Sequence, residues 1–277
     1  MPFFAQDEYQ CGPAALAMVL ANAGVKVTPQ DLVPQVYLPA RQGSLQVEML
    51  AAARRNGLVS YQLAPTYEAL LRELAAGTPV IVLQNLGLLD GWHYAVAIGY
   101  DFARDEFILR SGETERRVMN FGAHEFFWRR GSYWAMVALP PGRIPATAQE
   151  DRWLGAVVAF ERLNTPEKNR AAFSAFLARW PENLTAAIGL GNALHAAGEL
   201  REAEVALREA SRRHPDSAVV LNNLAQTLSD LGRNEEALPF IERAAAQPGK
   251  FAEAIAQTKA TILQRLTSST GAGPAPR

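Results

Sequence analysis

Cysteine is the scarcest informative residue in this sequence, because Cys11 is the only one among 277 residues. A single cysteine excludes an intrachain disulfide, and it excludes a zinc or iron–sulfur site built from several thiolates. Two interpretations stay open. The thiol is either a buried group that behaves as a small apolar side chain, or the nucleophile of a protein that otherwise avoids thiols. The residues around Cys11 have to decide between them.

The sequence also lacks an excess of charge and a long apolar run. Its 27 Lys and Arg against 28 Asp and Glu give a net charge of −1, so no electrostatic attraction to nucleic acid or to an anionic membrane is expected. No run approaches the roughly 18 apolar residues of a membrane span. Residues 1–4 lack the basic and apolar regions of a signal peptide. Because the first motif begins at Gln6, a cytoplasmic location and export after removal of an upstream signal segment both stay open.

What remains is the composition of a globular protein, 49% hydrophobic and 20% charged, with a length that suits two domains. The first half mixes patterns. Helices are predicted at residues 12–22, 44–55 (with Ser44 as N-cap) and 66–76 (started by Thr66). Strands are predicted after them, at 79–83, in a hairpin over 93–110, and at 132–139. Helices followed by a sheet indicate an α+β domain, which we place at residues 1–139.

The second half is helical throughout and repeats itself every 34 residues. Leu190, Gly198, Ala203, Leu207 and Ala210 recur at this offset as Leu224, Gly232, Ala237, Ile241 and Ala244. The period, with small residues where paired helices cross and glycine at the turn, is the tetratricopeptide signature. Each repeat is a helix–turn–helix whose apolar face is buried by its neighbour, which predicts an all-α superhelix.

The predicted domain plan follows from these two patterns. Residues 140–149, rich in proline, are a linker by composition. The repeat domain is predicted at 150–266, with a degenerate first helix pair, clear repeats at 184–217 and 218–251, and a capping helix. The tail at 267–277 is rich in Ser, Thr, Gly and Pro and is expected to be disordered.

Cys11 stands where an extended stretch turns into the first predicted helix. Gly12 permits a tight turn and a close approach of substrate to the backbone, and Pro13 suits a first helical turn. The positive end of the helix dipole favours a thiolate, so we expect the pKa of Cys11 to be lowered. The N–H of Cys11, unpaired in a first turn, and the side-chain amide of Gln6 are candidate donors to an oxyanion. These features suit thiol acyl-transfer chemistry.

A general base has to come from elsewhere, and four histidines are available. His195 and His214 lie within the repeats, where solvated or helix-end positions explain them. His124 lies in an aromatic segment with no other feature of a site. His93 opens a predicted strand, and a strand packed on the nucleophile's helix holds an imidazole rigidly, as a base requires. The alternative for His93 is an ordinary core or surface histidine, and the presence of Cys11 favours the catalytic interpretation.

Three motifs within about residues 3–139 form a set: Gln6 followed closely by Cys-Gly-Pro-Ala-Ala-Leu, then Gly-Ser-Leu at 43–45, then His-Tyr-Ala-Val-Ala-Ile-Gly-Tyr-Asp from His93. In this set the sequence resembles the bacterial bacteriocin-processing cysteine peptidases and their stand-alone relatives. The resemblance implies a papain-like fold and cleavage of peptides after a double-glycine leader. By position it makes Cys11 the nucleophile, His93 the base and Gln6 the oxyanion residue, with no cofactor and no metal.

The sequence departs from the family pattern in three places. Gln6 lies five residues before Cys11, where the family usually has six, and Gln10 stands where Asp is common. The family's third catalytic member is an Asp at the end of the strand after the histidine, and no Asp ends that strand here. Ser111, Glu113 or a backbone carbonyl is left to orient the imidazole, and the loss of an orienting group lowers activity without always abolishing it.

Two functions of different class follow. The first is a cysteine peptidase that forms a thioacyl intermediate, with repeats that recruit a peptide or protein substrate or a protein partner. The second is a papain-like binding module whose catalysis is weakened, as the missing Asp suggests. Acyl transfer to an amine shares its first half-reaction with hydrolysis and is a variant of the first. Peptide processing coupled to transport is not expected within this chain, which lacks membrane spans and a phosphate-binding Gly-Lys-Ser/Thr loop.

Overall fold

A computed structural model describes residues 1–5, 10–41, 43–87 and 91–270 of the chain. The chain divides into two compact units, Met1–Asn164 and Thr165–Arg277. The first combines a sheet with helices, and the second is helical over its described residues. The predicted fold class, an α+β domain followed by an all-α domain, is confirmed.

The first unit begins with helices and completes its sheet late. Its described helices are α1 (Cys11–Asn22), α2 (Pro29–Val36), α3 (Gln46–Arg55), α4 (Tyr67–Ala75), α5 (Phe121–Arg130) and α6 (Glu150–Glu161). Its described strands are β1 (Tyr37–Leu38), β2 (Gly43–Ser44), β3 (Val59–Gln62), β4 (Val80–Asn85), β5 (Trp92–Asp101), β6 (Glu106–Ser111), β7 (Thr114–Met119) and β8 (Ala135–Leu139). The predicted hairpin is confirmed as β5 and β6.

Six strands form one antiparallel sheet in the order β3-β8-β4-β5-β6-β7. The last strand in sequence, β8, therefore lies between β3 and β4. Helix α1 packs on one face of this sheet, where Leu16 and Leu20 share a core with Val96 and Met136. Every residue of α1 from Gly12 to Leu20 is buried, so the sheet fixes the end of the helix that carries Cys11.

Two helix starts test the capping predictions. Thr66 caps α4 as expected, since its side chain accepts a hydrogen bond from the Ala69 N–H at 3.2 Å. The prediction that Ser44 caps α3 is wrong. Ser44 belongs to β2 and pairs with Tyr37 of β1, so α3 begins two residues later, after Leu45. Strand pairing and contacts of the Ser44 side chain override its capping preference.

Four of the longer elements of this unit were not predicted. They are α2, β3, α5 and β7, and the two-residue strands β1 and β2 were not predicted either. Strand β7 carries mostly charged, exposed side chains at the edge of the sheet, so it lacks the apolar alternation by which strands are recognised. Helix α5 begins at a clear cap, Asn120, whose side chain accepts from the Ala123 N–H at 2.7 Å.

The segment predicted as a linker packs on the first unit. The N–H and hydroxyl of Thr147 both donate to Oε1 of the buried Glu73, at 2.8 and 2.7 Å. Helix α6 follows and packs on β3, with Trp153 buried and edge-on to Tyr61 at 5.7 Å. The boundary between the compact units therefore falls after Asn164, whereas the sequence plan placed it at 139–150 and assigned α6 to the repeats.

The second unit stacks antiparallel helices. Over its described residues these are α7 (Pro166–Arg179), α8 (Leu184–Ala196), α9 (Leu200–Arg213), α10 (Ala218–Asp230), α11 (Asn234–Ala245) and α12 (Ala252–Thr270). Helices α8–α9 and α10–α11 are the two predicted repeats. Gly191 is needed where α8 crosses α9, since a Cβ there would lie 2.5 Å from Cδ2 of Leu207. The tail was predicted from residue 267, but α12 continues to Thr270, and residues 271–277 lie outside the described part. No helix in the described ranges has the length and apolar character to cross a membrane.

Candidate active site

Cys11 is the first residue of α1, and its partly buried side chain packs against the core beneath the helix. Its sulfur accepts backbone hydrogen bonds from Tyr94, Gly12 and Cys11 itself. Tyr94 is the residue after His93 on β5, so the thiol lies against the strand that carries the predicted base. The structure thereby brings the two motifs together, although they are separated by 82 residues of sequence.

Burial controls the charge of this thiol. Removal of water around the sulfur raises the pKa of Cys11 above its ordinary value, and the three backbone hydrogen bonds lower it by less. The expectation that the helix terminus would lower this pKa is therefore wrong for the free protein. Desolvation disfavours the charged form, and it exceeds the effect of the amides at the start of α1. The resting thiol is neutral at pH 7.

Gly12 is required by packing within the protein. A Cβ at this position would lie 2.6 Å from Cβ of Ser44 and would also overlap its hydroxyl. Tyr94 fixes the same contact from the sheet, because its hydroxyl donates to the Ser44 carbonyl at 3.1 Å. The Gly-Ser-Leu motif at 43–45 thus holds the first turn of α1 against β5, and the role of Gly12 in the approach of a substrate stays a prediction.

His93 lies at the start of β5, directly opposite Gln84 of β4. Its Nε2 is 2.9 Å from Oγ of Ser111, the last residue of β6. Ser111 is 2% exposed, while Glu113 is exposed in the turn that follows. Among the side chains left open by the sequence, the geometry joins His93 to Ser111.

This hydrogen bond also distinguishes the two imidazole nitrogens. Because Nε2 is engaged by Ser111, the two nitrogens have different surroundings. The hydroxyl fixes the ring plane, but unlike a carboxylate it carries no charge to stabilise an imidazolium. The site therefore has an orienting group of lower electrostatic strength than the family's Asp.

Gln84 is a residue that sequence analysis missed. It is 2% exposed, faces His93 across the β4–β5 pair, and its Nε2 has no hydrogen-bond partner. A buried amide without a partner is costly and uncommon. Only the strand register places this amide beside His93, and no motif in the sequence indicates it.

The other predicted residues have separate outcomes. Gln6 lies outside the described residues, so its role as oxyanion donor stays a prediction. His124 is fully buried on α5, with Nδ1 2.6 Å from the Tyr67 hydroxyl, and burial lowers its pKa to about 3. His195, in the repeats, lies 2.9 Å from Asp230. Over the part of the chain that the structure describes, no group of three or more His, Cys, Asp or Glu side chains is arranged to hold a metal ion.

Comparison with known families gives two matches that agree with this division. The model of the Peptidase_C39 like family matches residues 1–130. A tetratricopeptide repeat model matches residues 170–220 and 194–262. The N-terminal unit is a Peptidase C39-like domain. The family resemblance drawn from the motifs around Cys11 and His93 is thus confirmed, and tetratricopeptide repeats follow the C39-like domain.

Solved structures similar to the C39-like domain include two from bacterial transporters. The double glycine motif protease of an AMS/PCAT transporter, solved with its leader peptide, is 20% identical over 50% of this chain and 89% of its own, with a TM-score of 0.38. The peptidase domain of Streptococcus ComA is 21% identical over 50% of this chain and 96% of its own, with a TM-score of 0.42.

The repeats are similar to the Yersinia enterocolitica secretion chaperone SycD bound to a YopD peptide. The two share 15% identity over 43% of this chain and 93% of that one, with a TM-score of 0.40. No curated protein matches the sequence.

Proposed function

We propose that the C39-like domain is a cysteine peptidase in which Cys11 is the nucleophile and His93 the general base. One observation carries the proposal. The Cys11 thiol accepts a hydrogen bond from the backbone of Tyr94, while the adjacent His93 has its Nε2 fixed by Ser111. A thiol at a helix start beside a base that is itself oriented by a third group is the arrangement of nucleophilic catalysis.

The reaction follows from these positions. His93 Nδ1 takes the proton of the thiol as sulfur attacks the peptide carbonyl, and the carbonyl oxygen gains the negative charge. The Cys11 N–H, and Gln6 in its predicted role, donate to that oxygen. When the C–N bond breaks, His93 returns the proton to the leaving amine and a thioester remains. Water, deprotonated by His93, then hydrolyses the thioester and restores the thiol.

Because the pKa of Cys11 is raised, the thiol loses its proton during the attack on the substrate and not before it. A neutral thiol protected by burial becomes a nucleophile only as its proton moves to His93, so deprotonation and attack are coupled.

We propose peptides with a double glycine before the cleaved bond as first substrates, because of the family resemblance and because a relative was solved with its leader peptide.

The test combines thiol alkylation with peptide cleavage. Wild type, Cys11→Ala, His93→Ala and the repeat-domain control His214→Ala are treated with iodoacetamide across pH 5–10 and assayed on double-glycine peptides. We expect cleavage by wild type and His214→Ala only, and slower alkylation of His93→Ala. A folded wild type that cleaves no peptide, with alkylation unaffected by His93→Ala, would leave the domain as a binding module. The mass of the product separates hydrolysis from transfer to an amine.

We also propose that the repeats bind a segment of the substrate or of a partner protein. A groove in the second unit carries side-chain amides, an imidazole and a hydroxyl; its lining is Gly191, Asn192, His195, Leu207, Asn223, Gln226 and Thr227. Asn192 and Gln226 are exposed and occupy equivalent positions 34 residues apart. Because none of these lining residues is Asp, Glu, Lys or Arg, we expect an uncharged segment held through its peptide groups.

The groove is tested by two substrates of different length. The double variant Asn192→Ala/Gln226→Ala should slow cleavage of a protein substrate and leave cleavage of a short peptide unchanged. Glu202→Ala, an exposed change on α9, is the matched control. Equal rates on the protein substrate for all three chains would exclude a recruiting role for this groove.

A further inference from the structure

Trp92 differs from the other tryptophans whose side chains are described. Its side chain is 61% exposed, whereas Trp128, Trp134 and Trp153 are at most 7% exposed. Trp180 is half-buried and packs on Phe176, with ring centroids 4.7 Å apart. Trp92 is thus a large apolar side chain that the fold leaves in water.

The exposed indole also lacks the neighbours that other exposed aromatics have. Phe102 stacks on Phe121 at 5.2 Å, Phe126 lies under Arg130 at 5.5 Å, and Phe251 lies under Lys250 at 5.0 Å. Within the described residues, no ring or cation lies against Trp92. Its surface is therefore available to another molecule.

The backbone beneath this indole is fixed. Trp92 is the first residue of β5 and pairs with Asn85 of β4. The chain just beyond this pair is also tied, because the Leu86 N–H donates to the Gly91 carbonyl at 2.9 Å. An exposed aromatic on a fixed strand position can bind a partner with little loss of conformational entropy.

Trp92 lies on the same side of β5 as Tyr94, since side chains alternate along a strand. Tyr94 hydrogen-bonds the Cys11 sulfur through its backbone and Ser44 through its hydroxyl. Two strand residues span about 7 Å, which is also the spacing of two residues in an extended peptide. The indole is therefore placed one or two substrate residues away from a bond attacked by Cys11.

We infer that Trp92 is a substrate-contacting residue that binds a nonpolar side chain at the first or second position after the cleaved bond of an extended peptide, since glycines occupy the two positions before it. The inference rests on the proposed peptidase function. A flat apolar ring with a polar N–H at its edge suits binding through stacking and burial of apolar surface. Trp92 would then determine which peptides are cleaved well, and His93 would act on all of them.

The experiment compares Trp92→Ala, Trp92→Phe and Phe126→Ala on paired quenched-fluorescent peptides. The pairs carry Leu or Ser at each of the two positions after the cleaved bond and keep the double glycine before it. Trp92→Ala should lower kcat/KM for the Leu peptide about 10-fold or more and for the Ser peptide about 2-fold at most, mainly through KM. Trp92→Phe should restore most of the difference. Phe126, exposed on α5, is the control and should leave both values unchanged.

A binding measurement keeps this inference separate from catalysis. Cys11→Ala is titrated with the same peptides, with and without the Trp92→Phe change, and tryptophan emission is followed. A blue shift with the Leu peptide that is lost in Trp92→Phe supports the contact even if wild type cleaves nothing. Equal effects of Trp92→Ala on both peptides, or no peptide-dependent emission from Trp92, would overturn it.

Discussion

At the scale of single residues, the group that orients His93 has a direct consequence for reactivity. Ser111 holds Nε2 at 2.9 Å with a neutral hydroxyl. A carboxylate in that position would favour the imidazolium and, through it, the thiolate. The hydroxyl does not, and burial already raises the pKa of Cys11. Both effects favour the neutral form of the Cys11 thiol in the free protein.

Substitutions of Ser111 test this account. Ser111→Ala removes this hydrogen bond to His93 and should lower kcat/KM about 10-fold to 100-fold. Ser111→Asp should lower the pKa of Cys11, so that iodoacetamide alkylates the thiol faster at pH 6–7 than it does in wild type. The measurement is the pH profile of alkylation, with Glu113→Ala as the control. Identical profiles for Ser111→Asp and wild type would mean that Ser111 does not act through His93.

Gly12 provides a second prediction at this scale. Gly12→Ala places a Cβ 2.6 Å from that of Ser44, so β2 or α1 must shift. We expect a loss of about 1–3 kcal/mol of unfolding free energy, measured by guanidinium denaturation. Gly142→Ala, where no atom lies within 4 Å, is the control. The double change Gly12→Ala/Ser44→Gly should recover most of the loss, and a failure to recover would contradict the steric explanation.

The sequence predicts Cys11 and His93 as the candidate nucleophile and base, but it does not predict their surroundings. Cys11 and His93 are recognisable because each lies in a local motif. The choice of Ser111 over Glu113 depends on strand register, and the raised pKa of Cys11 depends on burial beneath α1. Both are properties of the assembled sheet, so no local pattern contains them.

At the scale of elements, α5 carries a buried ionisable group that catalysis does not use. His124 stacks on Phe107 of β6 with ring centroids 3.9 Å apart, and Tyr67 of α4 bonds its Nδ1 at 2.6 Å. Its Nε2 is buried without a partner. These aromatic contacts join α4, α5 and β6. We call this cluster the aromatic joint, and a charge on the buried imidazole would destabilise it.

This joint should make the C39-like domain sensitive to acid. Folding lowers the pKa of His124 from its ordinary 6.5 to about 3, because burial disfavours the charged ring. Below pH 6.5 His124 is protonated in the unfolded chain, whereas in the folded chain it stays neutral down to about pH 3. The contribution of neutral His124 to the unfolding free energy is therefore fully present above pH 6.5. It falls as the pH drops, so that the unfolding free energy is lower by about 3 kcal/mol at pH 4.

The check is the change in unfolding free energy of the first unit between pH 7 and pH 4. His124→Gln should show a smaller change than wild type. Tyr67→Phe, which removes the hydroxyl and keeps the imidazole, should retain the full change. The same pH dependence in His124→Gln as in wild type would assign the acid sensitivity to other groups.

Elements with a strong local signal were predicted, and those defined by their neighbours were not. The β-formers of β5 and the cap of α4 are visible in the sequence. Strand β7 is polar and exists because it pairs with β6, and β2 is a two-residue strand that takes Ser44 from the predicted helix. Tertiary pairing decides such segments, and local propensity does not contain it.

At the scale of the whole molecule, the position of the domain boundary determines which fragments fold. Helix α6 buries Trp153, Val157 and Phe160, and residues before it are tied to Glu73. We propose that the folding unit extends to Asn164, where the two compact units divide. The repeats then begin at α7, without the degenerate first helix pair.

Two fragments test this boundary. Residues 1–164 should unfold cooperatively at the same denaturant midpoint as the first unit of the full chain. Residues 1–149 should lose several kcal/mol, because each large apolar side chain removed from the core contributes about 2 kcal/mol. In the full chain, Trp153→Ala should cost about 3–5 kcal/mol, and Leu163→Ala, at a half-exposed site, far less. Equal stability of the two fragments would restore the boundary at the predicted linker.

The central place of β8 in the sheet also bears on the timing of synthesis. Cys11, His93 and Ser111 all precede residue 112, yet in the described sheet β3 and β4 are neighbours of β8 and not of each other, and β8 ends at Leu139. Proteins are made from the N-terminus, so the nascent chain carries its thiol and imidazole well before the strand that completes the sheet beneath them. We expect the proposed peptidase activity to be absent from a chain that is still being translated, and to appear only after the end of the sheet has left the ribosome.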